Sequence, residues 1–441
     1  MTSVPSIADQ FTSARTGLPG AGRGWLDALR REALERFERN GFPTPKVETW
    51  KFTDLHRIAG LGFDNMPAAV GRALTQADIT PHRLAPDCRL AVFVNGMFRP
   101  DLSDVERTEG LRIRNFAAAD EAELHALATP PLAALEPRAR SLADLNTAFM
   151  RDGAVIDIEG CAALAPVQLL FIASPQGGRP VYHVRNLIRL GEHASATVVE
   201  TYVGHDSGAY WTNAVTRVEI ADGAVLRHCR LQAEGAAAVH VAASSVRVAR
   251  AATYHMFAAG LGGEIARNEI EVELVAPDAT AELAGLTLAR GRQHLDTTTR
   301  LAHTQPHGTS RQQFRNVVDD HAHAVFQGAV TVARDAQKTD AQQQSRSLLL
   351  SASAAVDTKP ELEILADDVK CSHGAAIGDL EPEQLFYLRS RGVGEADARA
   401  LLIAAFIGDL VDGIEGKTVQ PYIRRHVDAW LGDLKLQERG A

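Results

Sequence analysis

The stretch Ile270-Glu271-Val272-Glu273-Leu274 alternates strictly between apolar and acidic residues. A period of two places one set of side chains on a core and the other on the opposite face of an extended strand. Working outward, Ser245-Val246-Arg247-Val248 and Thr197-Val198-Val199-Glu200-Thr201-Tyr202-Val203 are rich in β-branched residues, which fit a pleated sheet. A weak repeat accompanies these strands. A turn-like residue followed by Ala recurs at Ala194, Ala224, Ala251, Ala279, Ala322 and Ala354, in steps of 30, 27, 28, 43 and 32 residues. Steps near 30 suit one coil of a β-solenoid, in which each coil buries the inner face of its neighbour. The long step contains His303-Thr304-Gln305-Pro306-His307-Gly308, which reads as an inserted loop. An ordinary antiparallel sandwich with irregularly spaced turns remains open on these patterns alone.

The flanks follow a different period. In the first 150 residues Leu26, Leu29, Ala33 and Phe37 recur at helical spacing up to an Asn40-Gly41 stop. Pro43 and Pro45 bar further helix, and Lys46 to Leu55 reads as a compact loop. Leu90 to Val94 followed by Asn95-Gly96 predicts a strand entering a tight hairpin. Helical patterns return around Ala117 to Ala128 and Ser141 to Met150. After the strand-rich middle, Glu381-Pro382-Glu383 offers a helix start, Gly392-Val393-Gly394 a break, and Ala398 to Leu410 a broad apolar face. Tyr422 to Leu434 predicts one more amphipathic helix. The expected division is therefore 1–150 helical or mixed, 151–380 solenoid and 381–441 helical. The terminal module could cap the solenoid or dock a partner.

Composition excludes several classes. The 441 residues carry 46 Lys and Arg against 55 Asp and Glu, a net charge of −9, without the basic footprint a nucleic-acid binder needs. Four cysteines, Cys88, Cys161, Cys229 and Cys371, form no C-x-x-C pair, so neither a disulfide framework nor a zinc ribbon is expected. The start Met1-Thr2-Ser3-Val4-Pro5 has no secretory character. The apolar run Ala400 to Ile407 is far short of the roughly 18 residues a membrane span needs. A cytoplasmic protein is expected. Gly416-Lys417-Thr418 imitates the end of a phosphate-binding loop, but Val411 stands where the first glycine should be. Gly260-Leu261-Gly262-Gly263 fails the dinucleotide fingerprint because Ile265 replaces its last glycine.

Two short motifs carry ligand chemistry. His321-Ala322-His323 would place two imidazoles on one strand face, although a solvated face beside Asp319 and Asp320 explains it more simply. Cys371-Ser372-His373 would likewise align a thiol and an imidazole if Val369 to Ala375 is a strand. The imidazole, with Lys370 nearby, would lower the thiol pKa or add a second ligand for iron. Two ligands do not saturate a tetrahedral ion, so a complete site would need further groups, a second chain being one source.

The run Lys359-Pro360-Glu361-Leu362-Glu363-Ile364-Leu365-Ala366-Asp367-Asp368-Val369-Lys370-Cys371-Ser372-His373-Gly374-Ala375 resembles the signature of the SufB/SufD family of SUF iron–sulfur cluster assembly scaffolds. Glu383 to Gly392, Phe42 to Thr53 and Leu145 to Phe149 resemble the same family, so the likeness spans nearly the whole chain. The Glu-x-Trp-Lys-Phe-Thr segment and Lys-Cys-Ser-His-Gly are D-like, and Leu388 stands where the B type usually has a cysteine.

The resemblance implies a right-handed parallel β-helix flanked by helical domains. It implies a non-catalytic scaffold that pairs with a SufB-like subunit through the β-helix and binds a SufC-like ATPase through its C-terminal helices. ATP then enters only through that ATPase, and a transient iron–sulfur cluster forms at the subunit interface. His373 would be an iron or cluster ligand and Cys371 a neighbouring thiol. Phe386, Tyr387, Arg389, Arg391, Gly392, Leu401, Leu402 and Phe406 would form the ATPase-docking surface. A homodimer is expected to be accessible without the partner. The alternatives are a β-helix carbohydrate-active enzyme using Asp319, Asp320 and Asp335, or a homodimeric adaptor without metal.

Overall fold

The computed structural model describes residues 5–60, 62–65, 74–106, 108–129, 135–160, 165–175 and 177–440, which leaves Cys161 outside the described residues. Two long sheets dominate. The first runs β2 (Met97–Phe98), β1 (Arg89–Val94), β5 (Val167–Ala173), β7 (Ser195–Gly204), β9 (Val225–Ala233), β11 (Thr253–Gly260), β13 (Thr280–Ala289), β15 (Thr309–Val318), β17 (Asp340–Leu349) and β19 (Lys370–Asp379). The second runs β3 (Leu111–Asn115), β4 (Ala154–Ile158), β6 (Val181–Leu190), β8 (Tyr210–Ile220), β10 (Ala238–Val248), β12 (Ile265–Leu274), β14 (His294–His303), β16 (His323–Val332) and β18 (Ala355–Ile364). From β5 onward the chain alternates between the sheets, so each coil contributes one strand to each. The result is a β-solenoid of about eight turns. The sheets begin upstream of residue 151, because β1 and β3 already belong to them.

The alternation of 270–274 has a direct structural reading. Ile156, Ile188, Val218, Val246, Val272, Leu301, Val330 and Leu362 stack in register as one column on the inner face. One residue further along, the column Asp157, Arg189, Glu219, Arg247, Glu273 faces outward with alternating charge. Such cross-strand pairing fixes the register, since a slip of one residue would turn charge into the core.

The turns correct two expectations. His193, Gly223, Ala251, Asp278, His307 and Lys338 take positive φ of 50–66° at one corner of successive coils. Each precedes a small residue: Ala194, Ala224, Ala252, Ala279, Gly308 and Thr339, 27 to 31 residues apart. The repeat therefore registers on Ala252, fully buried, and not on Ala251. His303 to Gly308 is no insertion: it ends β14 and forms an ordinary corner before β15. The 43-residue step arose because Ala322 and Ala354 precede strands of the second sheet. Ala251 sits at φ 50° without a stabilising side chain. Ala251→Gly should therefore raise stability by roughly 0.5–1 kcal/mol, read by thermal denaturation, because glycine relieves the left-handed strain at a smaller entropic cost.

Helices cover both outer faces. In the N-terminal region α1 (Ile7–Ala14), α2 (Gly24–Asn40), the short α3 (His56–Ala59) and α4 (Gln76–Ile79), α5 (Glu121–Ala128) and α6 (Ser141–Phe149) precede most of the solenoid. Phe11, Phe37, Trp50 and Phe149 pack with Val181, Trp211 and Val239 of the second sheet. At the other end come α7 (Pro382–Ser390), α8 (Glu395–Asp412) and α9 (Val419–Gly440). Ile403, Ile407, Tyr422 and Trp430 bury Val203, Leu231 and Leu286 of the first sheet. This explains why every residue from Val198 to Val203 is buried: both faces of the strand are covered. The C-terminal helices thus lie along a sheet and leave the last coil uncapped.

The lumen is not wholly apolar. Glu200 is fully buried and receives Arg230 Nη2 at 3.2 Å on both oxygens, Tyr202 Oη at 2.7 Å and His228 Nε2 at 3.0 Å. Arg230 also reaches across to Ser244 and Asn268 of the facing sheet.

Candidate functional site

Strands β18 and β19 are the last in their sheets, and most of their residues are exposed or half-buried. The N–H of Leu365 donates back to Val332 of β16, while those of Ala355 and Lys370 donate back to Ala322 and Thr339, the residues preceding β16 and β17. Donors alternate sides along a strand, so the N–H groups of Val356, Thr358, Leu362 and Ile364 project from the free edge. Those of Cys371, His373 and Ala375 do the same on β19. Position 360 on that edge is Pro, which has no N–H and is tolerated there. Two unpaired edges side by side form a template for another chain.

Cys371 and His373 sit on this last coil. Cys371 is in register with buried Ala341 and packs against the lumen core. His373 is in register with buried Gln343, so thiol and imidazole share the inward face at the mouth of the solenoid. Lys370 and Ser372 alternate to the outside. The shared face matches expectation, but the effect on the thiol does not. Cys371 is half-buried and its pKa is raised, chiefly by burial and further by Asp340. His373 is exposed toward solvent and does not activate the thiol.

The other sequence candidates separate. His321 lies in the turn before β16, while His323 opens the strand, so they do not share a strand face. His323 bonds instead to Asp357 at 2.8 Å and to His294 at 3.2 Å. Asp319 and Asp320 precede β16 and Asp335 follows it. A ten-residue strand spans roughly 33 Å, which is far beyond the roughly 10 Å that paired glycosidase carboxylates can bridge. Gly416 joins two helices, not a strand and a helix. Gly262 is needed for a different reason, since a Cβ there would lie 2.2 Å from the carbonyl oxygen of Glu234 in the coil below. Among the described residues no group of three or more His, Cys, Asp or Glu side chains could hold a metal ion.

On the C-terminal module, α7 buries none of its residues. Phe386 is 73% and Tyr387 58% exposed, and the Arg391 guanidinium lies 5.1 Å over the Tyr387 ring. Arg389 pairs with Glu395 at 3.3 Å, and Gly392 takes φ 85° to turn the chain into α8. Leu401 is exposed on the outer side of α8, and Leu402 is half-buried. Phe406 is engaged internally, against the first sheet and beneath Arg315 at 5.4 Å. No described helix is long and apolar enough to cross a membrane.

Sequence reasoning missed what the Phe42–Thr53 segment does. Trp50 is fully buried with Arg267 stacked 4.0 Å over its ring, and the Thr49 carbonyl accepts from Arg267 at 2.7 Å and Gln327 at 3.0 Å. Glu48 pairs with Lys359 on the last coil. The segment is thus a strap across the second sheet, reaching the strand beside the candidate site. The lone Trp between charged residues was the available signal.

The architecture is a helix-flanked two-sheet solenoid whose open final coil carries a thiol and an imidazole. Residues 171–406 match the family described as SUF system FeS cluster assembly, SufBD core domain, and residues 1–169 match the SufBD protein N-terminal region. The chain belongs to the SufBD family of iron–sulfur cluster assembly proteins. It is 32% identical over 397 residues to the SufBD family protein slr0076 of Synechocystis sp., covering 87% of this chain and 86% of that one. It is 31% identical over 401 residues to SufD of Escherichia coli, covering 89% and 90%. Over 280 residues it is 37% identical to the chloroplastic protein ABCI7 of Arabidopsis thaliana, covering 62% of this chain and 59% of that one.

Proposed function

We propose that this chain is the SufD-like, non-catalytic subunit of a SufBCD-type complex, with iron and sulfide as its cargo and not as resident cofactors. The observation that carries the reading is the open last coil: two unpaired edges beside Cys371 and His373. A SufB-like chain would add strands there and supply the ligands this chain lacks, completing a site that thiolate and imidazole suit chemically. The uncovered faces of Phe386, Tyr387 and Leu401 would receive a SufC-like ATPase, whose nucleotide-driven closure would rotate the helical modules and reshape the interface. The complex would work in the cytoplasm.

Removal of everything after Glu381 is a poor test, because it would strip the cover from the first sheet. A better one replaces only exposed residues. Co-expressed with both partners, Phe386→Ala/Tyr387→Ala is expected to weaken ATPase capture at least tenfold, as loss of aromatic anchors does, with SufB-like pairing and melting temperature unchanged. Full retention of the ATPase would remove the docking assignment.

A further inference from the structure

The inner face of the first sheet carries a column that ends at the candidate site: Gln312 in β15, Gln343 in β17 and His373 in β19 are in register. Stacked glutamines ordinarily hydrogen-bond to one another along such a column. Here they do not. Gln312 Oε1 accepts from Thr299 at 2.7 Å, and its Nε2 has no partner among the described residues. Gln343 is 3% exposed, yet neither its Nε2 nor its Oε1 has a partner among the described residues. Ser345 Oγ and Thr358 Oγ1, one inward position along β17 and on facing β18, are likewise unpartnered.

The lumen is shaped to accept this amide. Gly328 lies opposite, and a Cβ there would come within 1.9 Å of Gln343 Nε2 and 2.9 Å of the Phe326 ring. Glycine at 328 is thus what lets the carboxamide lie across the lumen directly under the mouth. A buried amide with both ends unused is costly, and an apolar side chain of the same length would fill the space without that cost. Such violations of local consistency are concentrated where a site has work to do.

We propose that Gln343 is a positioning residue for the cluster site: once the partner and iron are in place, its carboxamide, unpartnered among the described residues of the chain alone, turns its oxygen to accept a ring N–H of His373, its register neighbour, fixing the tautomer that offers the other nitrogen to iron. This rests on the SufD-like reading and extends it to a residue outside the Cys371–His373 motif. A metal-bound imidazole generally gives its second N–H to such an acceptor, and loss of the acceptor weakens metal binding 10- to 100-fold.

The test uses the complex with its SufB-like partner, titrated anaerobically with ferrous iron and followed by Mössbauer spectroscopy. Gln343→Leu is expected to weaken iron binding at least tenfold while the melting temperature holds or rises. Gln343→Glu, which keeps the acceptor, is expected to retain binding, and Gln343→Met, which fills the same space without one, is expected to lose it. Equal binding by the Leu, Met and parent forms overturns the inference, as does equal loss in all three variants. Loss with His373→Ala but not with Gln343→Leu sinks only the Gln343 role. No loss with His373→Ala sinks the cluster-site reading itself.

Discussion

Replacing His373 with Ala in the assembled complex is expected to cut cluster formation to roughly a tenth or less, with no change in chain stability or partner binding. The size follows from removing a candidate ligand, a change at least as large as the roughly tenfold lower end of the cost of disturbing a residue that merely supports one. The unchanged stability follows from exposure, because substitutions at exposed positions without internal contacts stay within about 0.5 kcal/mol. Visible absorption of the reconstituted cluster and a thermal melt of the same sample measure both. Cys371→Ser is expected to do less at neutral pH. Burial holds the Cys371 thiol protonated above its ordinary range, and a thiol must lose its proton to bind a metal. Its contribution should therefore grow as pH rises toward 9. Full cluster yield from His373→Ala in an intact complex would overturn the site assignment.

The solenoid was legible because its physics is local. Alternation at 270–274 reports an inner and an outer face, and the near-30 spacing reports two ten-residue strands plus two corners. Where the reading slipped, the cause was also local. Ala251 and Ala252 are indistinguishable by composition, yet only one is the left-handed corner residue. His307 and Lys338 occupy that same corner without resembling Ala251 or Gly223, so the repeat seemed to break at the coil following Ala279. The thiol and imidazole of the last coil could be placed on one face from i, i+2 spacing alone. The protonation of the thiol could not, because it depends on which strand lies beneath. Gln343 was invisible for the same reason: its interest lies in having no partner, and absence of a partner is a tertiary fact. The outer cover of helices was legible as helices but not as cover, since an apolar face does not state whether it meets a sheet or another chain.

Arg230→Met is expected to destabilise the protein by about 3–5 kcal/mol at neutral pH, because it strands the Glu200 carboxylate in the middle of the solenoid. Burial alone would raise the Glu200 pKa, but the Arg230 charge, His228 and the Tyr202 hydroxyl outweigh it and hold the carboxyl well below its usual range. The sign of the pH dependence follows. In the parent chain the native state binds fewer protons than the unfolded state near pH 4.5, so the contribution of Glu200 is complete above that pH and is lost as pH falls below it. Without Arg230 burial prevails, the carboxyl shifts upward, and the variant instead loses stability as pH rises from about 4.5 toward neutrality. The gap between parent and variant should therefore widen from pH 5 to pH 7.5 in urea denaturation. Adding Glu200→Gln should recover much of the loss, and the double-mutant cycle would report the coupling. Arg230 also ties the two sheets together through Ser244 and Asn268. In a stacked architecture, where each coil is held by its neighbours, the variant should consequently unfold over a broader range as the two halves lose their coupling. A gap of less than about 1 kcal/mol that stays flat with pH would show that this buried network is not what holds the middle of the solenoid together.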